Sequence, residues 1–131
     1  VRTRELTRAN GSLRQTSQIF RQAEAAANVG SWRVELATNQ LSWSDQVYVI
    51  NGLELGRPVT VEEAIELYEP EDRAMVHAKL AQTIAEGEPF SFETTIRRQD
   101  GEPRRIRVVG ERVDIDGKPD SVAGVILDCT D

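Results

Sequence analysis

Apolar and polar residues alternate with period two in three stretches near the C-terminal end of the chain. Phe90, Phe92, Thr94 and Ile96 share one face of the first, which predicts a strand over residues 90–99. Ile106 and Val108 hold the even face of the second, Pro103–Ile115, whose Val113 and Ile115 fall on the odd face. A slip of one residue moves every side chain across a sheet, so Gly110, lying between the two registers, is the predicted bulge or kink. The third strand is predicted over 121–129. Asp100-Gly101 and Asp116-Gly117 separate the three. Two-residue loops with positive φ at both positions match strand twist, so each dictates an antiparallel hairpin.

Upstream the periodicity changes. Trp32, Val34 and Leu36 alternate with Arg33 and Glu35 in a strand over 31–36, and Thr38-Asn39 turns the chain into a short second strand, Gln40–Trp43. Ser44 is the expected N-cap of a helix carrying Val47, Tyr48 and Ile50, closed by Asn51-Gly52. Thr60 and Glu63 form a capping box for a helix whose Val61, Ala64, Ile65 and Tyr68 share a face. Pro70 opens a last helix with Met75, Val76, Leu80 and Ile84 as its predicted buried stripe and Gly87 as its end. Before all of these, Leu6, Leu13 and Phe20 recur every seven residues, with Ala9 and Ala23 between them. That spacing is a short coiled-coil seam, interrupted by Gly11. A Ser12/Gln15 capping box places a helix over 12–27, stopped by Asn28 and Gly30. The order is helix, two strands, three helices, three strands, an α+β arrangement with helices on one face of an antiparallel sheet.

Composition narrows the function classes. The 131 residues make one domain with at most an appendage, and the net charge of −6 argues against nucleic acid as the main partner. Residues 1–21 run the other way, with five arginines against Glu5 alone. A solvated helix face is the expected reading of that run, ahead of a juxtamembrane or nucleic-acid arm. Cys129 is the sole cysteine, so no internal disulfide forms and a reducing compartment is expected. No apolar run approaches the ~18 residues of a bilayer crossing, and no signal-peptide pattern opens the chain. A start at Val1 and a stop just after a strand read as a fragment of a longer protein, in which a membrane segment elsewhere remains open.

Gly30-Ser31-Trp32, Leu41-Ser42-Trp43-Ser44, Glu69-Pro70-Glu71-Asp72-Arg73, the Phe92-Glu93 to Arg98 strand, Asp100-Gly101, Gly124 and Asp128-Cys129-Thr130 together resemble the PAS family, in its subgroup with a Gly-x-Trp opening strand. The likeness covers roughly residues 20–131; only Cys129 departs from the usual Asp-Ile-Thr ending. It implies a five-stranded antiparallel sheet of spatial order 2-1-5-4-3 with helices over one face, so that 28–131 is the domain and 1–27 a helical linker. It also implies a sensory or dimerising role within histidine kinases or cyclic-dinucleotide enzymes. Ligands in such proteins lie between the helices and the inner sheet face, which makes Trp43, Tyr48, Ile65, Tyr68, Val76, Leu80, Phe92, Ile106 and Val108 the pocket candidates. Asp128 and Thr130 are the expected signal exit, although an Asp and a Thr ending a strand also bond nearby backbone. Leu6, Leu13 and Phe20 are the expected dimer helix.

Candidate chemistry is sparse. No zinc-protease, Cys-x-x-Cys, phosphate-loop or nucleophile-elbow motif occurs. His77 sits beside the apolar stripe of the helix that supplies the iron ligand in haem-binding relatives. It is expected at the surface, with a haem gas sensor as the alternative. Flavin photochemistry in such domains needs a cysteine on a helix against the isoalloxazine ring, and Cys129 ends a strand, so neither flavin nor any other cofactor is expected. Trp32, Trp43, Tyr48, Tyr68, Phe90 and Phe92 are core residues that also suit an apolar pocket. Arg97, Arg98, Arg104, Arg105, Arg107 and Arg112 interleave with Glu93, Glu102 and Glu111, and cross-strand charge pairs explain that group without an anionic partner. The expectation is a non-catalytic, cytoplasmic, homodimeric sensory module of a bacterial two-component sensor histidine kinase. A diguanylate cyclase or phosphodiesterase is the alternative parent.

Overall fold

The computed structural model describes residues 18, 19, 21–98 and 101–129. Leu6, Leu13, Phe20, the Ser12/Gln15 box, Asp100 and Thr130 lie outside the described residues.

Two chain segments distant in sequence form the middle of a five-stranded sheet of order β2-β1-β5-β4-β3. The strands are β1 (Val29–Glu35), β2 (Gln40–Trp43), β3 (Phe90–Arg97), β4 (Pro103–Ile115) and β5 (Lys118–Asp128). Every pairing is antiparallel, and β1 runs against β5 from Val29↔Leu127 to Glu35↔Ser121. The inner-face residues Val34, Phe92, Ile96, Ile106, Val108, Val122 and Ile126 are buried. Their alternation with exposed neighbours follows the two-residue period of a pleat.

Helix α1 includes residues 18, 19 and 21–27, and Asn28 ends it in the left-handed conformation. Gly30, expected to help stop that helix, belongs instead to β1, where Val47 packs so closely that a Cβ would collide with it. Across the inner sheet face lie α2 (Asp45–Asn51), α3 (Val61–Glu66) and α4 (Arg73–Glu86), the last entered through a single 3-10 turn, Pro70–Asp72. Thr60 caps α3 as predicted, its Oγ1 accepting from the Glu63 N–H at 3.1 Å. Ser44 does not cap α2 with its side chain. Its hydroxyl accepts from Ser31 N–H and donates to Glu24, tying α2 to β1 and α1 instead. In α4 the buried positions are Val76 and Thr83, with Met75 and Leu80 half-buried. Ile84 is exposed, because the helix presents its Val76–Leu80–Thr83 edge to the sheet rather than the predicted stripe.

The Glu69–Arg73 stretch fastens this layer. Thr94 Oγ1, on the buried sheet face, donates to Asp72 at 2.7 Å, while Arg73 donates to the backbone oxygens of Glu66 and Tyr68 that α3 leaves open.

Both hairpins form, by different means. Asp116 and Gly117 have φ of 53° and 75°, and Ile115 pairs with Lys118, the predicted two-residue turn. At the other hairpin Arg98 N–H donates to Glu102 and Gly101 N–H to Arg98, so three residues lie between Arg98 and Glu102 rather than two. The register irregularity in β4 falls between Val113 and Asp114 and not at Gly110. Gly110 sits in regular register, and its lack of a side chain leaves the Trp32 and Phe90 rings the space where a Cβ would be.

Gly124 is the more constrained of the central glycines, since a Cβ there would meet the Val109 carbonyl and the Gly110 Cα, both backbone atoms. A Cβ at Gly117 would meet nothing within 4 Å and carries only the cost of positive φ. Gly117→Ala is therefore expected to destabilise by about 1 kcal/mol, and Gly124→Ala by about 3 kcal/mol, in urea unfolding. Equal losses would contradict this packing.

Candidate functional site

Rows of side chains crossing the sheet define the site. Phe90, Gly110, Gly124, Trp32 and Trp43 are successive cross-strand partners, and the next row is Phe92, Val108, Ile126 and Gly30. The two adjacent glycines leave the first row without side chains at its centre. Trp32 and Phe90 lean over that gap with ring centroids 6.1 Å apart. Phe90 stacks on Phe92 at 6.0 Å, and Phe92 meets Tyr68 edge-on at 5.9 Å. The result is a continuous aromatic wall.

Between that wall and the helices lies a cavity, partly open to solvent. Trp32, Val34, Leu41 and Trp43 come from β1 and β2, and Phe90, Phe92, Val108 and Ile126 from β3 to β5. Val61, Ala64, Ile65 and Tyr68 come from α3 and its exit, and Val76 and Leu80 from α4. A water-sized sphere can be centred over about 60 Å³ of it, several times the ~10–15 Å³ that one water needs. The cavity-lining side chains carry no formal charge, so apolar surface dominates and ions are penalised by lost hydration.

Seven of the nine pocket candidates meet there: Trp43, Ile65, Tyr68, Val76, Leu80, Phe92 and Val108. Tyr48 does not. It buttresses Trp43 from behind at 5.1 Å, and its hydroxyl donates to the Arg57 carbonyl at 2.7 Å. Ile106 is fully buried one row further on, opposite Thr94 and Asp128. Trp32 and Phe90, singled out only as aromatics, are full members of the lining. Val34, Leu41 and Ile126, which only the strand register brings into it, were missed, as were Val61 and Ala64 of α3.

A second constellation joins the two ends of the domain. Asn28 Nδ2 donates to Asp128 Oδ2 at 3.2 Å, Asp128 N–H donates to the Asn28 carbonyl at 3.2 Å, and Gln46 Nε2 donates to Asn28 Oδ1 at 2.7 Å. Glu24, buried on α1, accepts from Ser44 at 3.1 Å. Arg104 lies 3.9 Å from the Asp128 carboxylate. Ala23, assigned to the seam, is exposed.

The remaining candidates lie elsewhere. His77 is an exposed residue 3.9 Å from the Glu62 carboxylate and outside the cavity lining, so it does not face a group held there. Cys129 is exposed, its Sγ 3.4 Å from the Arg105 carbonyl. Glu93 pairs across β3–β4 with Arg105 at 3.6 Å and Arg107 at 4.0 Å, as the cross-strand reading requires. Arg112 instead pairs within its own strand with Asp114 at 2.9 Å and donates to the Ile84 carbonyl of α4. Among the described residues no His/Cys/Asp/Glu group is arranged to hold a metal ion, and no helix is long and apolar enough to cross a membrane.

Known proteins share this architecture. A family model described as the PAS fold matches residues 40–126. A blue-light-activated histidine kinase of Brucella anthropi is 28% identical over 105 residues, spanning 80% of this chain but 21% of the kinase. The crystal structure of a sensory box histidine kinase/response regulator from Burkholderia thailandensis has a TM-score of 0.69 at 28% identity, covering 85% of this chain and 84% of that one. An RNA-binding light-oxygen-voltage receptor shares the fold at a TM-score of 0.69 and 23% identity, covering 76% of this chain and 29% of its own. A flavin that bonds to cysteine finds no partner in this lining, since the one cysteine of the chain lies outside it.

Burial pushes the Tyr68 phenol from 10.0 up to about 12. An unfolded chain loses that proton near pH 10, so the stability it contributes is complete below pH 10 and is lost as pH rises toward 12. Urea unfolding between pH 9 and pH 11.5 is expected to show a decline of about 2 kcal/mol that Tyr68→Phe abolishes. Parallel profiles for the two proteins would contradict a desolvated hydroxyl.

Proposed function

This chain belongs to the PAS fold family, and on that footing we propose that it is a non-catalytic sensory and dimerisation module of a multidomain bacterial signalling protein, a two-component sensor histidine kinase being the parent that fits best. Residues 28–131 form the sensing domain, and 1–27 form a helical linker that pairs with a second copy through Leu6, Leu13 and Phe20. The module works in the cytoplasm and passes its state to an effector domain beyond Asp131 through Asp128 and Thr130.

The observation that carries this reading is the Asn28–Asp128 junction. Through it, the end of the linker helix and the end of the last strand share three hydrogen bonds with each other and with α2. Any tilt of α1 therefore acts directly on the segment leading out of the sheet. A ligand shifts such a system only by binding two arrangements unequally. The cavity is bounded on one side by α3 and α4, and on the other by the β1–β5 pair that ends at the junction, so occupancy bears on both. No carboxylate lies in the cavity lining, where a general base would be needed.

Two measurements test the proposal. Light scattering is expected to find a dimer that removal of residues 1–19 converts to monomer; a monomer unaffected by the deletion would contradict pairing through the seam. In the whole natural polypeptide, Asn28→Ala and Asp128→Ala are expected to shift output activity in the same direction, while Glu54→Gln, on an exposed loop, leaves it unchanged. Output insensitive to both junction variants would contradict the relay.

A further inference from the structure

We propose that Arg112 is a latch on the C-terminal end of α4, and that its release opens the cavity from that end. The inference names a control on the cavity and rests on the sensory reading of it.

Helix α4 ends without a cation of its own. Its last turn holds no basic residue, and Gly87, in the left-handed conformation, closes it. The carbonyls of a final turn have no donor within the helix and form the negative end of its dipole. Arg112 supplies both a donor and a charge from the sheet, its Nη1 donating to the Ile84 carbonyl at 3.1 Å. A Cβ at Gly87 would lie 2.9 Å from Arg112 Nη2, so the guanidinium rests on the residue that ends the helix. Nε and Nη2 donate to the Asp114 carboxylate at 2.9 and 3.2 Å, which fixes the plane of the group.

The strand register relates this contact to the cavity. Arg112, Val122, Val34 and Leu41 are successive cross-strand partners, in the row beside Phe90, Gly110, Gly124, Trp32 and Trp43. Val34 and Leu41 line the cavity, and so does Leu80, one turn before Ile84. Strand β3 begins with Phe90, opposite Gly110, so the row of Arg112 has no β3 member and its side chain reaches α4 instead. Only residues 87–89 separate the latched helix end from Phe90, itself a lining residue. Lifting the last turn therefore frees Leu80 and Phe90, on adjoining walls, to separate.

The two attachments of α4 to the sheet differ. At its start Thr94, wholly buried, donates to Asp72 at 2.7 Å. At its end the bonds of Arg112 are exposed, where solvent weakens an ion pair. The helix thus opens from its C-terminal end first.

Arg112→Met keeps the aliphatic stem and removes the donors and the charge. In native-state hydrogen exchange it is expected to speed the amides of Ile84, Ala85 and Gly87 about tenfold, with exchange free energies that stay below those of Val34 and Val122. Uptake of N-phenyl-1-naphthylamine, an uncharged probe that fluoresces in apolar surroundings, is expected to quicken by about the same factor, because entry scales with the population of the opened form. Asp114→Asn leaves the Ile84 bond in place, so it should raise both rates about threefold, and it decides the matter if Arg112→Met does not fold. Last-turn amides that exchange no faster in the variants, or only together with those of Val34, would overturn the latch. So would probe uptake that is absent or unchanged while those amides open. A latch that holds while the Asn28 and Asp128 variants leave output unmoved would remove the sensory reading and keep the latch; a failed latch with responsive output would do the reverse.

Discussion

The antiparallel pairing of β1 with β5 is the constraint on which the structure depends. The partners are some ninety residues apart in sequence, so their ladder closes a long loop. Its entropic cost grows only slowly with loop length and is offset by seven register pairs and by the burial of Val34, Val122 and Ile126. The segments between β1 and β5 either flank this pair in the sheet, β2 on one side and β4 and β3 on the other, or pack on its inner face. The same pairing sets Asn28 beside Asp128, so the ends of the domain are coupled by its best-built element and not by loops.

The layer facing that sheet is lighter. Only Val76 and Thr83 of α4 are buried, with Met75 and Leu80 packed against the core, and side-chain hydrogen bonds tie its two ends to the sheet: Thr94 to Asp72 and Arg112 to the Ile84 carbonyl. A helix held this way opens at lower free energy than the strands beneath it. Such an imbalance suits a sensory domain, because a guest under α3 and α4 has something compliant to act on while the sheet keeps its register.

The strands, both hairpins and the sheet order were legible because alternation and Asp-Gly pairs are local signals, and the spaced motifs supplied the order. What the chain hid was tertiary. Gly110 looked like a bulge since its neighbours change phase there. The ladder runs straight through it, and the shift occurs at Val113/Asp114, where pairing with β5 rather than local pattern decides. Ile84 looked buried by helical spacing, yet the angle of α4 across the sheet leaves it exposed. Ser44 looked like a cap, and its hydroxyl is taken by Ser31 and Glu24. Seven of the nine candidates that the family likeness placed between the helices and the inner sheet face do line the cavity. The indole N–H of Trp32, unpartnered among the described residues, was not legible, because an unsatisfied N–H is visible only once its neighbours are in place.

Native-state hydrogen exchange tests the central claim most directly. Amides of the β1–β5 ladder, such as those of Val34 and Val122, are expected to exchange only through global unfolding, with free energies equal to that from urea, while α4 amides exchange through smaller openings. Strand amides of β1 and β5 exchanging faster than those of α4 would contradict a sheet-held domain with a compliant helical cover.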